Sequence, residues 1–325
     1  MSVMHSFWQD LPRPFTILAP MQGVTDVVFR NLITEIGKPD VLFTEFTNVE
    51  GLQSRAVEKV KEALLFTKYQ KPIVAQLWGI HPNDYYLSAK FCKDVGFDGI
   101  DINMGCPDKL IVKRGSCAAL IKNPDLAKRI IEQTKKASGN VPVSVKTRLG
   151  FEKINLDWIV FLLEQEISSL TIHLRTVDEL SKVPAHWEVM HEIVKLRDKI
   201  SPSTILIGNG DIQTYQEIQD KYTTYGNEGF MIGRGIFQNP FLFNKSVNID
   251  YVTVEQRIAL YIKHIKLFDK TWKKKNPALL KKFCKTYLSN FEDATSLREK
   301  IMLCSKTEEM LVILKNYKGK NTIIK

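Results

Sequence analysis

The chain has 325 residues, room for one large domain and a small one but not for two barrels. With 44% hydrophobic and 25% charged residues it is neither disordered, fibrous nor disulfide-dense. The formal charge of +10 is unevenly placed: residues 1–244 carry 28 basic and 28 acidic side chains, whereas residues 245–325 carry 18 against 8. The start, Met1 to Gln9, has no apolar core behind a basic flank. No later stretch approaches the roughly 20 apolar residues of a membrane helix, so a cytoplasmic protein without membrane attachment is expected. Its five cysteines, Cys92, Cys106, Cys117, Cys284 and Cys304, form no CxxC pair and no Cys/His cluster at zinc spacing, so neither a disulfide framework nor a bound metal is expected.

Eight short β-branched and apolar runs follow in order, each trailed by helical periodicity: Phe15–Ala19, Val41–Glu45, Ile73–Leu77, Gly99–Asn103, Val143–Thr147, Leu170–His173, Ile205–Gly208 and Gly229–Ile232. Such alternation predicts an α/β fold, a (β/α)8 TIM barrel, over residues 1–243. A doubly wound nucleotide fold would want GxGxxG after the first strand, and none follows Ala19. Residues 244–325 read as a small basic all-α domain. Thr253 and Gln256 form a capping-box pattern opening the run Ile258, Tyr261, Ile262, Ile265 and Phe268. Further helices are expected over Leu279–Leu288, Ser296–Cys304 and Thr307–Leu314, with a frayed tail at Lys318–Lys325. No heptad run demands a dimer, and a monomer is expected.

Barrel chemistry sits at the carboxyl ends of the strands. Here those ends carry Pro20, Met21 and Gln22; Glu45; Gln76; Asn103 and Cys106; Lys146 and Arg148; His173 and Arg175; Asn209 and Asp211; Gly233 and Arg234. Any one of them suits a water-facing strand end; the ring of amides, cations and one thiol is the signal. Gly208-Asn-Gly-Asp211 after the seventh strand and Gly233-Arg-Gly235 after the eighth suit a phosphate, the glycines letting backbone approach the anion. Gln76 and Lys146 are donors that an isoalloxazine ring wants: an amide for its pyrimidine edge and a cation where reduction places negative charge. Cys106 follows a strand in Asp101-Ile-Asn-Met-Gly-Cys-Pro107, where Gly105 permits a tight turn and Pro107 restricts the cysteine. Cys92, Cys284 and Cys304 read as small buried hydrophobes. Cys117, on the loop after the fourth strand, is less settled, but lacks the strand-end placement that favours Cys106.

The sequence resembles the tRNA-dihydrouridine synthases, flavoenzymes that reduce uridines of tRNA. The resemblance is carried by Ala19-Pro-Met-Gln-Gly-Val-Thr-Asp26, Ala75-Gln-Leu77, Gly96-Phe-Asp-Gly-Ile-Asp-Ile-Asn-Met-Gly-Cys-Pro107, Val143-Ser-Val-Lys-Thr-Arg-Leu-Gly150, Ile172-His173, Gly208-Asn-Gly-Asp-Ile212 and Ile232-Gly-Arg-Gly235. Lys281-Lys-Phe-Cys-Lys-Thr-Tyr-Leu288 and Leu297-Arg298 resemble the family's C-terminal helical domain. That resemblance implies FMN held by Pro20, Met21, Gln22, Gln76, His173, Lys146, Asn209, Gly210, Asp211, Gly233 and Arg234, with NADPH as reductant. It further implies hydride delivery from the flavin to uracil C6 and protonation of C5 by Cys106, with Asn103, Arg148 and Arg175 near the substrate. One departure is Leu174, where the family usually has glycine between the histidine and arginine.

A target base inside folded tRNA has to be flipped out, at a cost of a few kcal/mol. Lys273, Lys274, Lys275, Lys281, Lys282 and Lys285 are the candidates for holding the remaining RNA by its phosphates. Two other readings stay open. An FMN barrel acting on a small molecule, in the manner of dihydroorotate dehydrogenase, explains the strand ends but not the basic tail. A catalytically idle RNA-binding barrel explains the tail but not Gln76, Cys106 and Lys146.

Overall fold

The side chains of Val74, Gln76, Asp101, Asn103, Ser144, Lys146, Ser169, Thr171 and Ile207 all point to one face of a parallel sheet, because strand side chains alternate and the register aligns them. In the computed structural model, which describes residues 6–317, that face is the inside of a barrel. The strands are β1 (Phe15–Leu18), β2 (Val41–Phe43), β3 (Thr47–Asn48), β4 (Ile73–Trp78), β5 (Gly99–Met104), β6 (Val143–Arg148), β7 (Ser169–His173), β8 (Ile205–Asn209) and β9 (Gly229–Ile232). All pair in parallel, and the pairing Leu42↔Ile73 between β2 and β4 closes eight of them into a ring. The ninth, β3, is a two-residue strand on the edge of β4 that the periodicity does not reveal. The (β/α)8 expectation holds.

The interior is divided. Phe15, Ile17, Val41, Phe43, Val74, Ile205, Ile207 and Met231 form an apolar cluster with Trp8, whose ring lies 6.0 Å from Phe15 and 6.5 Å from Phe43. Between β4 and β7 the same interior is polar: Gln76, Asp101, Ser144, Ser169 and Thr171 are all buried. A polar interior is costly unless its groups bond one another, and most of these do.

By its contacts the chain groups into two units that are not contiguous segments. One comprises Met1–Val27 and Pro39–Gly233; the other comprises Val28–Lys38 and Arg234–Lys325. The boundary expected at 243/244 thus differs in two ways: Arg234–Phe243 and the early helical stretch Val28–Lys38 both group with the C-terminal helices. The reason lies in packing. Phe29 stacks on Phe283 at 5.0 Å and meets His264 at 5.6 Å, so its apolar face is satisfied by residues far along the chain.

In this second unit Thr253 caps the helix Val254–Thr271 in the expected capping box. Ile258, Tyr261, Ile265 and Phe268 are buried on it, whereas Ile262 is only half-buried. The helix expected over 279–288 is instead two short turns, Ala278–Lys281 and Cys284–Tyr287. Leu280 O accepts from Phe283 N and from Tyr261 Oη at 3.1 Å, which takes the carbonyl that a continuous helix would offer to Cys284. The last two helices are Ala294–Leu303 and Thr307–Lys315. The expectation for Lys318–Lys325 lies outside the described residues.

Packing leaves no room for a side chain at either glycine of the Gly208-Asn-Gly-Asp segment. A Cβ on Gly208 would lie 2.5 Å from the Trp187 ring, and one on Gly210, at φ +138°, would lie 2.7 Å from Ala185 Cβ. Trp187 cannot yield easily, since its Nε1 donates to Gly210 O at 3.0 Å and its ring stacks on Tyr225. Gly208→Ala is therefore expected to lower unfolding stability by about 1–3 kcal/mol, the usual cost of overpacking, as read from a denaturant melt. An unchanged midpoint would show that the indole can move aside.

Candidate active site

Cys106 sits just past the end of β5 on a turn built by Asn103. The Asn103 side-chain oxygen accepts from Gly105 N at 3.1 Å and from Cys106 N at 3.0 Å. Gly105 is required there: a Cβ would press 3.1 Å from the Thr147 backbone. Arg148 seals the turn from the other side, donating to Gly105 O at 2.9 Å and to the carbonyls of Thr176 and Leu180 at 2.8 Å. Both residues were expected near the substrate. Both are buried, and through these hydrogen bonds they hold the turn that carries the cysteine.

The polarity of this arrangement is set deeper in the barrel. Asn103 Nδ2 donates to Gln76 Oε1 at 3.0 Å, Gln76 Nε2 donates to Asp101 Oδ2 at 2.8 Å, and Ser144 Oγ donates to Asp101 Oδ1 at 2.6 Å. An ionised carboxylate only accepts, so it dictates which way each amide faces. Gln76, expected to face a flavin edge, is fully buried and spends both ends of its amide on this chain, leaving one N–H and one lone pair. Burial raises the Asp101 carboxyl to about 6, against the opposing pull of the Ser144 and Gln76 hydrogen bonds and Lys146. Because the native state holds this proton more tightly than the unfolded chain, the group's contribution to stability falls as pH rises from about 4 to 6.

Asp101→Leu would remove the acceptor of both Gln76 Nε2 and Ser144 Oγ and leave these buried donors unpaired. Turning the Gln76 amide toward another acceptor would require Asn103 to turn with it, which strips the acceptor from Cys106 N. We expect this variant to lose about 1–3 kcal/mol, the cost of a buried unpaired group, and to alkylate Cys106 at a changed rate. A variant matching the parent in both would leave the relay without a role.

On the neighbouring strands, Lys146 Nζ donates to Asn209 Oδ1 at 3.3 Å, and Asn209 Nδ2 donates to Met231 O at 2.7 Å. Lys146 is half-buried rather than solvated; burial first, and then Arg148, lower its ammonium to about 8. His173 Nε2 lies 3.0 Å from Arg175 Nη1, and since a guanidinium only donates, that nitrogen accepts and a neutral ring carries its proton on Nδ1. Between them, Leu174 is fully buried and its N–H donates to Asn209 O.

Arg175 also donates to Val183 O at 2.6 Å and pairs with Asp211, whose carboxylate further accepts from Ala185 N at 2.9 Å. The Asp211 side chain is thus taken up in pinning the 182–187 segment, and Arg175, fully buried, is held behind His173. In the loop after β1, Thr25 Oγ1 accepts from Met21 N at 2.9 Å, and buried Glu45 accepts from Gly23 N. Gln22 is exposed, and Pro20 and Met21 are half-buried. A Cβ built on Gly233 would lie 3.7 Å from Ala19 Cβ and 3.8 Å from Met21 Sδ, so the space over Gly233 is bounded but unfilled. Arg234 is exposed and belongs to the second unit, as the N-cap of Gly235–Gln238.

A feature missed from sequence is the partner of Cys106. The Ala118 N–H donates to Cys106 O at 3.4 Å, and the Cys117 thiol hydrogen-bonds Cys106. That bond, opposed by burial and aided by the Asp108 N–H, lowers the Cys106 thiol to about 7. Gly115 followed two residues later by Cys117 was the only available signal.

Of the six tail lysines, Lys273, Lys274, Lys282 and Lys285 are exposed. Lys281 donates to Met302 O at 2.7 Å, and Lys275 lies 3.3 Å over the Trp272 ring, so those two are engaged within the chain. Among the described residues no helix is long and apolar enough to cross a membrane, and no three His, Cys, Asp or Glu side chains gather as a metal site.

The family model described as Dihydrouridine synthase (Dus) matches residues 17–322. A probable tRNA-dihydrouridine synthase of Staphylococcus aureus (strain MRSA252) is 42% identical over 323 residues, covering 97% of this chain and 96% of that one. A probable tRNA-dihydrouridine synthase 2 of Bacillus subtilis (strain 168) is 42% identical over 321 residues, covering 97% and 98%. Among solved structures, morphinone reductase in complex with tetrahydroNAD matches with a TM-score of 0.51 at 15% identity over 71% of this chain and 86% of that one. Histamine dehydrogenase from Rhizobium sp. 4-9 matches with a TM-score of 0.52 at 14% identity over 78% and 48%. At such identity these two bear on the fold alone.

Proposed function

The chain belongs to the dihydrouridine synthase family, and from that premise we propose that it is an FMN- and NADPH-dependent enzyme reducing the C5=C6 bond of uridines in tRNA, with Cys106 as the proton donor to C5. The observation that carries this reading is a part-exposed thiol at a barrel mouth, held on an Asn103-capped turn one register step from Lys146. The donors fit a flavin. Lys146 and His173 are cationic or polar groups on the inward face, Thr171 Oγ1 is a buried hydroxyl without a protein partner, and the space over Gly233 is open between Ala19 and Met21.

Bound FMN, with NADPH as reductant, would supply the hydride chemistry that C6 requires. Lys146 would supply positive charge for the ring, and Pro20–Gln22, Gly210 and Gly233 would hold the group. Arg234, by its place after β9, supplies charge for the phosphate. Asn209 orients Lys146, and Asp211 acts through Arg175 on His173. Gln76 and Asn103 orient the turn, so that the Cys106 proton is presented to the pyrimidine. The exposed lysines Lys273, Lys274, Lys282 and Lys285 meet RNA phosphates without regard to sequence. A monomeric, cytoplasmic enzyme accords with this role.

The test is direct: visible absorbance of the purified protein for flavin, then nucleoside analysis of dihydrouridine-free tRNA after incubation with NADPH. Colourless protein that takes up no FMN, or flavoprotein that oxidises NADPH yet leaves every uridine unreduced, would reject the reading.

A further inference from the structure

Two cysteines eleven positions apart are brought together by unusual backbone. Gly115, at φ +81°, and Cys117, at φ +53°, coil the segment after the helix Lys109–Lys113 back onto the Cys106 turn. A cysteine gains nothing locally from the left-handed region, which costs about 1–3 kcal/mol for a side chain and persists only where the surroundings hold it. Here they do: the adjoining Ala118 N–H bonds Cys106 O at 3.4 Å. The two thiols differ in access. Cys106 is partly exposed at the barrel mouth, whereas Cys117, adjoining the Ala118 N–H that bonds Cys106 O, is fully buried.

We propose that Cys106 and Cys117 are a peroxide-oxidisable pair, in which a hydroperoxide attacks the accessible Cys106 and the buried Cys117 then closes a Cys106–Cys117 disulfide. In the first step the Cys106 sulfur displaces the distal oxygen of hydrogen peroxide. An S–O bond forms, the O–O bond breaks, and the hydroxide released takes the thiol proton as water, leaving a sulfenic acid. In the second the Cys117 sulfur attacks the Cys106 sulfur. The S–S bond forms, the S–O bond breaks, and the departing oxygen leaves as water with the Cys117 proton. The two sulfurs together lose two electrons to the peroxide. A buried resolving thiol suits this order, because solvent peroxide cannot reach it first. Capture as a disulfide, which a thiol reductant reverses, protects Cys106 from irreversible over-oxidation. The consequence for turnover rests on the function proposed above; the cross-link does not.

The full chain is exposed to a small excess of hydrogen peroxide and followed by intact mass and by peptide mapping without reduction. We expect a loss of about 2 Da and a peptide pair joining Cys106 to Cys117, both reversed by dithiothreitol. In Cys117→Ser, whose fold is checked by its melting curve, the expected product is a gain of about 32 Da on Cys106 that dithiothreitol does not reverse. In Cys106→Ser neither the cross-link nor that gain forms. Parent protein that goes to the same irreversible 32 Da adduct, or that cross-links other cysteines, overturns the proposal. An untreated protein inactive on tRNA but still giving the Cys106–Cys117 link would reject only the functional reading.

Discussion

Replacing Cys106 by alanine is expected to leave flavin content and NADPH oxidation near parent levels while cutting dihydrouridine formation in tRNA by about 10²–10⁴-fold, the range a positioned general acid supplies. The separation follows from geometry. The turn is held by Asn103 through backbone N–H groups and by Arg148 through Gly105 O, so removing the sulfur leaves its support intact. The same thiol predicts a pH dependence. A hydrogen bond from Cys117 brings Cys106 down to about 7, and only the protonated form can give a proton. Product formation should therefore decline as pH rises through about 7, and in Cys117→Ala, which removes that bond, the decline should move upward. Single-turnover nucleoside analysis with pre-reduced enzyme across this range is the measurement. Parent-level product from Cys106→Ala would end the assignment.

Lys146→Met is expected to slow flavin reduction by NADPH by about 10²–10³-fold, the loss seen when one preorganised charge stabiliser is removed. Methionine retains most of the apolar stem, so the change is chiefly the missing ammonium and the missing hydrogen bond to Asn209. Burial, and then Arg148, hold this ammonium near 8, so in the parent the charge is lost as pH rises through that value and the reductive step should fall with it. The variant, having nothing to titrate, should lack that limb. Stopped-flow bleaching of the flavin band checks both expectations, and it separates Lys146 from Cys106 because in the proposed mechanism the thiol enters only after reduction. A variant reduced as fast as the parent would show that the cation does not face the ring.

The eight strands and their order were legible in the sequence by itself, because strands buried on both faces must be short apolar runs and parallel pairing needs a long return between them. So was Cys106, since a glycine before it and a proline after it announce a turn wherever they occur. Local chemistry sufficed in those cases. It does not reveal the protein partners of Gln76, Asn103, Arg148 and Asp211, whose residue types suit a ligand as well as they suit a support. Their partners stand far away in the chain: Asp101 is 25 residues from Gln76, Ser144 is 43 from Asp101, and Asp211 is 36 from Arg175. Only the register of the closed sheet brings these groups face to face, and a buried polar atom takes whichever partner arrives there. For the same reason Gly208 serves Trp187, Cys117 lies behind Cys106, and the early stretch Val28–Lys38 packs with the C-terminal helices. Sequence settles what each residue is able to bond; tertiary structure decides what it does bond, because burial removes water as the alternative.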